Sequence, residues 1–327
     1  PTMPVPEPQM DLQTFIPRLY EHTDGMVIGE FHASIASKKL IIDNLPLLAE
    51  QHVKTLYMEH LLTDLHQADL DRFMESGQMS KRLLHDLKAL DQGHVTDPDG
   101  VYSFETLVIK AQHHGLEIRA IDCAASYHLK GLSQATPTTR QQMMNYFASR
   151  TIRRHQAVMG SHRWVALVGN SHSNTYADIV PGLAELEGGI GLRVLDVSPG
   201  SSRGITLDPG ENVRIPLRNR EEFLKGDFVV ELEVRRSPAA IRPPQPLTIE
   251  DRLSRPGMFL TEQKEGGEYV IIHRSRDNEI HHTPVRLNAV GNVFVERPSW
   301  TAIHRRPYED MDALVLALEE INLTRVG

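Results

Sequence analysis

A single cysteine, Cys123, in 327 residues excludes an intrachain disulfide framework and fits either a reducing compartment or a chain that needs no staple. It is expected to pack as a small apolar residue. No apolar run reaches the roughly 18–20 residues that a membrane-spanning helix needs, and the first residues form neither a basic nor an apolar signal region, so no membrane span and no signal peptide are expected. Basic charge is in deficit. Lys and Arg number 35 against 43 Asp and Glu, a formal net charge of −8, which argues against a nucleic-acid partner because phosphate contacts need a basic face. Internal repeats and long low-complexity tracts are also missing. What is present is an ordinary soluble composition, 40% hydrophobic and 24% charged, at a length that suits two domains of usual size. The proline-rich opening Pro1-Thr2-Met3-Pro4 reads as a linker or the edge of a fragment of a longer protein.

Hydrophobic spacing orders the elements. Leu12, Phe15, Ile16 and Leu19 recur at helical spacing between Met10 and Glu21, and a strand then runs to Gly29. A helix over 35–51, with Pro46 a candidate kink, leads to a strand around Leu56-Tyr57-Met58. Strand, helix, strand implies parallel pairing with a right-handed crossover. Helical patterns follow at 64–75 and 81–90, then a loop at 91–100 rich in Asp, Gly and Pro and holding His94. It reads either as a lid over the site or as a plain surface loop. A helix from Ser103 to His114, a strand ending at Asp122, a long helix from Thr138 or Thr139 to Met159, and strands at 164–168, 192–197 and 227–232 complete the pattern. The fold class is therefore α/β over 10–234, a largely parallel sheet with helices on both faces. A proline-rich linker, 235–246, precedes a small α+β domain over 247–327, an antiparallel sheet flanked by two helices.

Three polar stretches each close an apolar run. Gly29-Glu30-Phe31-His32 follows Met26-Val27-Ile28, Met58-Glu59-His60 follows Thr55-Leu56-Tyr57, and Gly169-Asn170-Ser171-His172 follows Val165-Ala166-Leu167-Val168. Parallel strands would bring these ends to one rim, where open α/β sheets bind ligands. Imidazole suits zinc, manganese, cobalt or iron, and a carboxylate completes the shell or serves as base on water. Glu30, His32, Glu59 and His172 are thus the candidate catalytic residues, and His32, His172 and Glu59 the candidate ligands of a divalent metal. Glu59 and His60 are adjacent and face opposite ways in an extended segment, so Glu59 is preferred. Asp122, at a fourth strand end, and Asn170 are candidates for holding substrate. Arg150 and Arg153, close to Arg154 and His155, could clamp an anion near the rim, or be solvated charge near a helix C-terminus. Taken singly, each rim histidine reads more simply as a cap or packing residue. The pairs His113-His114 and His281-His282 are read as surface or core histidines.

The G-E-x-H at Gly29 to His32, the strand-end Glu59 and the late G-x-x-H at Gly169 to His172 resemble the superfamily of erythromycin esterases, Tiki metalloproteases and ChaN haem-binding lipoproteins. Related domains occur in large bacterial toxins such as Pasteurella multocida toxin. The resemblance covers about the first two thirds of the chain and implies an α/β fold with Glu30, His32, Glu59 and His172 at the active centre. Family members range from ester or peptide hydrolysis to haem binding, so membership does not choose the reaction.

Gly257-Met258-Phe259-Leu260-Thr261-Glu262-Gln263, then Tyr269 to Ile272 and Ile280-His281-His282-Thr283, resemble a divergent Src homology 2 domain. Glu262 stands where that family has its phosphate-gripping arginine, and a carboxylate there repels phosphate. Arg274, Arg276 and His282 are the remaining candidates for a phospho-ligand. Three readings follow from the two resemblances. The first is a metal-assisted or metal-free hydrolase, an esterase or peptidase, within a toxin or effector that is secreted or translocated into host cytoplasm. The second is a haem or iron binder. The third is a non-catalytic adaptor meeting a host protein through the carboxyl-terminal domain.

Overall fold

Aliphatic and β-branched runs form the strands, and polar residues stop them. A computed structural model of the chain describes residues 3, 6, 7, 9–31, 33–94, 97, 100–127, 138–175, 180–215, 220–235 and 246–326. The chain divides into two compact units, Pro1–Pro244 and Gln245–Gly327. Among the described residues no helix is long and apolar enough to cross a membrane.

The first unit runs α1 (Leu12–Tyr20), β1 (Gly25–Glu30), α2 (Ala36–Asp43), α3 (Leu45–Glu50), β2 (Val53–Leu62), α4 (Thr63–Ser76), α5 (Lys81–Gly93), α6 (Phe104–His113) and β3 (Glu117–Asp122). It continues with α7 (Thr139–Met159), β4 (Arg163–Gly169), α8 (Leu183–Glu187), β5 (Ile190–Val197), β6 (Ile205–Leu207), β7 (Glu211–Ile215), β8 (Arg220–Leu224) and β9 (Phe228–Glu233). One sheet takes the order β3-β2-β4-β1-β5-β9-β6. Its neighbours are parallel except β6, which lies antiparallel to β9. The β7–β8 hairpin stands apart. The largely parallel α/β sheet expected from the sequence is present.

The helix expected over 35–51 is two helices. Asn44 turns its Nδ2 back to the Leu40 carbonyl at 2.8 Å, and Pro46 sits in the first turn of α3, where its missing N–H leaves no bond unmade. The expected loop at 91–100 begins later than its composition suggests, because α5 continues to Gly93. Asp91 then caps α6 by accepting the N–H groups of Phe104 at 2.7 Å and Glu105 at 3.2 Å. Residues 95, 96, 98 and 99 of that loop lie outside the described residues.

Strand side chains alternate between two faces, and the core follows that alternation. Met26, Ile28, Leu56, Met58, Val165 and Leu167 join one apolar cluster with residues from α1 to α6. Val27, Tyr57, Ala166 and Val168 join another with Met144, Ala148 and Ile152 of α7 and Leu183 of α8. Counting on by twos, Glu30 belongs to the first face and Glu59 to the second.

The second unit contains α9 (Ile249–Arg252), β10 (Met258–Gln263), β11 (Tyr269–Arg274), β12 (Ile280–Leu287), β13 (Val293–Val295), α10 (Met311–Glu320) and β14 (Thr324–Arg325). Its sheet order is β13-β12-β11-β10-β14, antiparallel except for the short β10–β14 pair. A capping box between Thr248 and Asp251 starts α9. Phe259, Ile271, Val295 and Trp300 pack with Leu314 and Leu318 of α10.

Candidate active site

Two of the three polar stretches end their strands, β1 and β4, whereas Met58-Glu59-His60 lies inside β2, which runs on to Leu62. β4 lies between β2 and β1, parallel to both, so Gly169 to His172 leaves the sheet between Glu59 and Glu30. The register of β2 against β3 slips between Met58 and Leu62, and this irregularity carries Glu59 and His60.

Glu59 and His172 meet on the α7 side. Glu59 is 5% exposed and His172 is 5% exposed. Glu59 Oε2 accepts the Gly169 N–H at 2.6 Å, and Glu59 Oε1 lies 3.2 Å from His172 Nε2. On the far side of the ring, His172 Nδ1 is 2.6 Å from Asn145 Oδ1, and Asn145 Nδ2 donates to the Pro181 carbonyl at 2.7 Å. That last bond fixes the carboxamide so that its oxygen faces the ring, and Nδ1 must carry the hydrogen. Nε2 is left facing Glu59 Oε1, placed to give a proton to it or take one from it. Asn145 acts here as the orienting third group.

Glu30 belongs to a different cluster, on the opposite face. It is 1% exposed, and its Oε2 accepts from Ser37 Oγ at 2.5 Å and from Lys38 Nζ at 3.0 Å. Lys38 is fully buried, with its ammonium 4.4 Å over the Phe104 ring. His60 Nε2 lies 2.8 Å from Glu30 Oε1. The preference for Glu59 over His60 therefore needs refining. The two do face opposite ways, and His60 reaches the other rim carboxylate. Burial pushes the Glu30 carboxyl up, but Lys38, His60 and the hydrogen bonds outweigh it and lower it to about 2. His94 completes this cluster, its ring 5.8 Å from that of His60. Burial lowers the His94 imidazole from its ordinary value.

Asp122 is fully buried on the Glu59 side. Its Oδ1 accepts the Cys123 N–H at 2.8 Å and its Oδ2 accepts from Arg140 Nη2 at 3.3 Å. Burial raises its carboxyl, the Glu59 charge adds to that, and the Cys123 N–H and Arg140 offset only part. Cys123 itself is half-buried. Asn170 is 4% exposed, yet neither atom of its carboxamide has a hydrogen-bond partner among the described residues, and Gln141 Oε1 has none either. An unmet buried polar group costs roughly 1–3 kcal/mol, which makes these atoms available to a ligand. Gly29 makes room for them, since a Cβ there would stand 2.1 Å from Ser173 Oγ and 2.7 Å from Asn170 Oδ1.

His32 lies outside the described residues. Arg150 and Arg153 do not line the rim. They border two cavities whose walls contain neither Glu30, Glu59 nor His172, and Arg153 Nε is bound to Glu187 Oε1 at 3.0 Å. The reason is the length of α7. Its first turns bond the rim through Arg140, Gln141 and Asn145, while His155 at its other end reaches Tyr57 and Glu117.

Among the described residues no three His, Cys, Asp or Glu groups meet as a metal-ligand set. His172 has both nitrogens facing protein partners and Glu30 faces a buried ammonium. In the second unit Glu262 is exposed on β10. The Arg274 guanidinium is taken by the Leu253 carbonyl and, at 2.6 Å, the Asn278 carbonyl. Arg276 and His282 are exposed.

Fold and site together define an open, largely parallel α/β unit with a carboxylate–imidazole pair at the carboxyl ends of its central strands. Over 173 residues, 50% of this chain, the sequence is 27% identical to the multifunctional-autoprocessing repeats-in-toxin of Vibrio vulnificus. The match spans only 3% of that toxin's length. Among solved structures, the type III effector HopBA1 aligns with a TM-score of 0.50 at 16% identity, over 72% of this chain and 99% of HopBA1. RRSP, a MARTX toxin effector domain from Vibrio vulnificus, aligns with a TM-score of 0.47 at 23% identity, over 57% of this chain and 36% of RRSP. No family model matches the chain.

Proposed function

We propose that the first unit is the catalytic domain of a bacterial toxin effector, delivered into a host cell, and that it hydrolyses an ester or amide bond by acid–base chemistry at Glu59 and His172. The observation that carries this reading is the chain of close contacts Asn145–His172–Glu59. The match of half the chain to the Vibrio toxin supports the effector role.

Glu59 Oε1 takes a proton from the attacking water as its oxygen bonds to the substrate carbonyl carbon. The imidazolium gives its Nε2 proton to the leaving oxygen or nitrogen as that bond breaks. The proton on Glu59 then returns to Nε2 and the site is reset. The Asn170 carboxamide holds the substrate, and the buried Asp122 carboxyl stands close enough to Glu59 to feel its charge. Glu30, held ionised, anchors the strand ends. Every step of this reading is carried by the side chains themselves. The second unit serves as a docking module for a host protein, with Arg276 and His282 on its exposed face.

The test is to produce the full chain in host cells and compare it with Glu59→Gln and His172→Gln. Loss of the toxic effect and of new cleavage products in both variants, at equal protein level, supports the reading. Full toxicity in both overturns it.

A further inference from the structure

The helix α7 is out of keeping with the charge of the chain. Against a net charge of −8, its 21 residues carry Arg140, Arg150, Arg153, Arg154 and no acidic residue. Arg140 and Arg153 are paired with Asp122 and Glu187. Arg150 and Arg154 are exposed, and among the described residues neither has a carboxylate or hydrogen-bond partner. They stand one helical turn apart, a spacing at which like charges destabilise a helix.

Both arginines open into one cavity of about 750 Å³, whose described walls also contain Arg119, paired with Glu117 and Asp71, His155, paired with Glu117, and Arg153, so that Arg150 and Arg154 are its uncompensated charges. That volume lies within the range of small-ligand sites. Phe147 and Val158 supply an apolar wall. The cavity runs along β3, the edge strand of the sheet. There an added peptide strand would find its partners taken, because Gln67 Oε1 accepts the Ala120 N–H at 2.8 Å and Gln67 Nε2 donates to the Ile118 carbonyl at 3.3 Å. Gln67 and Ala120 both line the cavity. Two unpaired guanidinium forks a turn apart suit a compact anion of more than one charge, each fork giving paired N–H bonds to its oxygens.

We propose that the cavity bordered by Arg119, Arg150 and Arg154 is a binding site for a phosphate ester or polyphosphate, separate from the rim and independent of the chemistry there. The ligand's phosphate oxygens bridge Arg150 and Arg154, and its organic part lies against Phe147 and Val158. A soluble phosphate compound and a phosphorylated lipid headgroup share this chemistry.

The experiment titrates the full chain calorimetrically with inorganic pyrophosphate. In parallel it floats the chain with phosphatidylcholine vesicles made with and without a phosphoinositide. Three proteins are compared: the unaltered chain, the double variant Arg150→Gln/Arg154→Gln, and Lys54→Gln, which removes an exposed charge elsewhere. Saturable pyrophosphate binding that weakens about tenfold or more in the double variant alone supports a soluble ligand. Flotation that needs the phosphoinositide and is lost in the double variant alone supports the lipid source. Binding of neither probe overturns the proposal, as does binding unchanged in the double variant or displacement by polyglutamate at the same concentration as by pyrophosphate.

Discussion

Two carboxylates stand on the strands that flank β4, and their surroundings differ in kind. Glu30 is enclosed by a buried ammonium, a hydroxyl and an imidazole, and the ion pair it forms with Lys38 is wholly out of water. Glu59 meets an imidazole whose far side is tied to Asn145, beside Asn170, a carboxamide with nothing bound to it among the described residues. The first arrangement is built on a buried ion pair. The second has an imidazole facing a carboxylate beside unmet polar atoms, the arrangement on which the proposed acid–base chemistry rests. Burial alone does not separate the two, since both carboxylates are almost fully buried. The partners separate them.

The sharpest way to break the comparison is to alter each side in turn. Glu59→Gln should cost about 100- to 10,000-fold in activity, the usual worth of a positioned acid–base group, while shifting urea unfolding by only about 1 kcal/mol. Lys38→Met should do the reverse. It strands a buried carboxylate and should destabilise the fold by about 3–5 kcal/mol, whereas Glu30→Leu together with Lys38→Met should recover much of that loss. Equal destabilisation by the single and double variants would contradict the pairing.

The same contrast has a pH signature. The folded Glu30 carboxyl sits at about 2 against an ordinary 4.5. Its contribution to stability is therefore complete above pH 4.5 and is lost as pH falls from there towards 2. Unfolding midpoints measured across that window should fall more steeply in the unaltered chain than in Glu30→Gln. A matching slope in the variant would sink the assignment. The smallest effect is expected from Asn145→Leu, which frees the His172 ring to take the other tautomer. Activity should drop roughly tenfold with a changed pH–rate profile, and Asn145→Asp, which restores an acceptor to Nδ1, should recover part of it.

Much of this could be read from the chain. Apolar runs that stop at Glu30 and before Asn170 mark strand ends, while β2 carries on past Glu59 and His60 to Leu62, and period-two alternation gives the faces. The order of strands is what the sequence conceals. With β4 inserted between β2 and β1, His60 reaches Glu30 across a neighbour, which no spacing along the chain reveals. Lys38 escaped because a helical lysine is normally solvated. Its position three and four residues before Ile41 and Ile42, both buried, places it on the apolar side of α2 and was the available signal. Asn145 lies mid-helix with no spacing of its own to announce it. Arg150 and Arg153 were drawn towards the rim by their charge, whereas α7 is long enough to carry them away from it.

In the proposed mechanism Asn145, His172 and Glu59 form one proton-sharing chain that the Glu30 cluster does not touch. Nitrogen NMR of ¹⁵N-histidine-labelled protein tests it directly. The expected result is a protonated Nδ1 on His172 and an Nε2 resonance that moves in Glu59→Gln and stays in place in Glu30→Gln. A bare Nδ1, or an Nε2 resonance indifferent to Glu59→Gln, would contradict it.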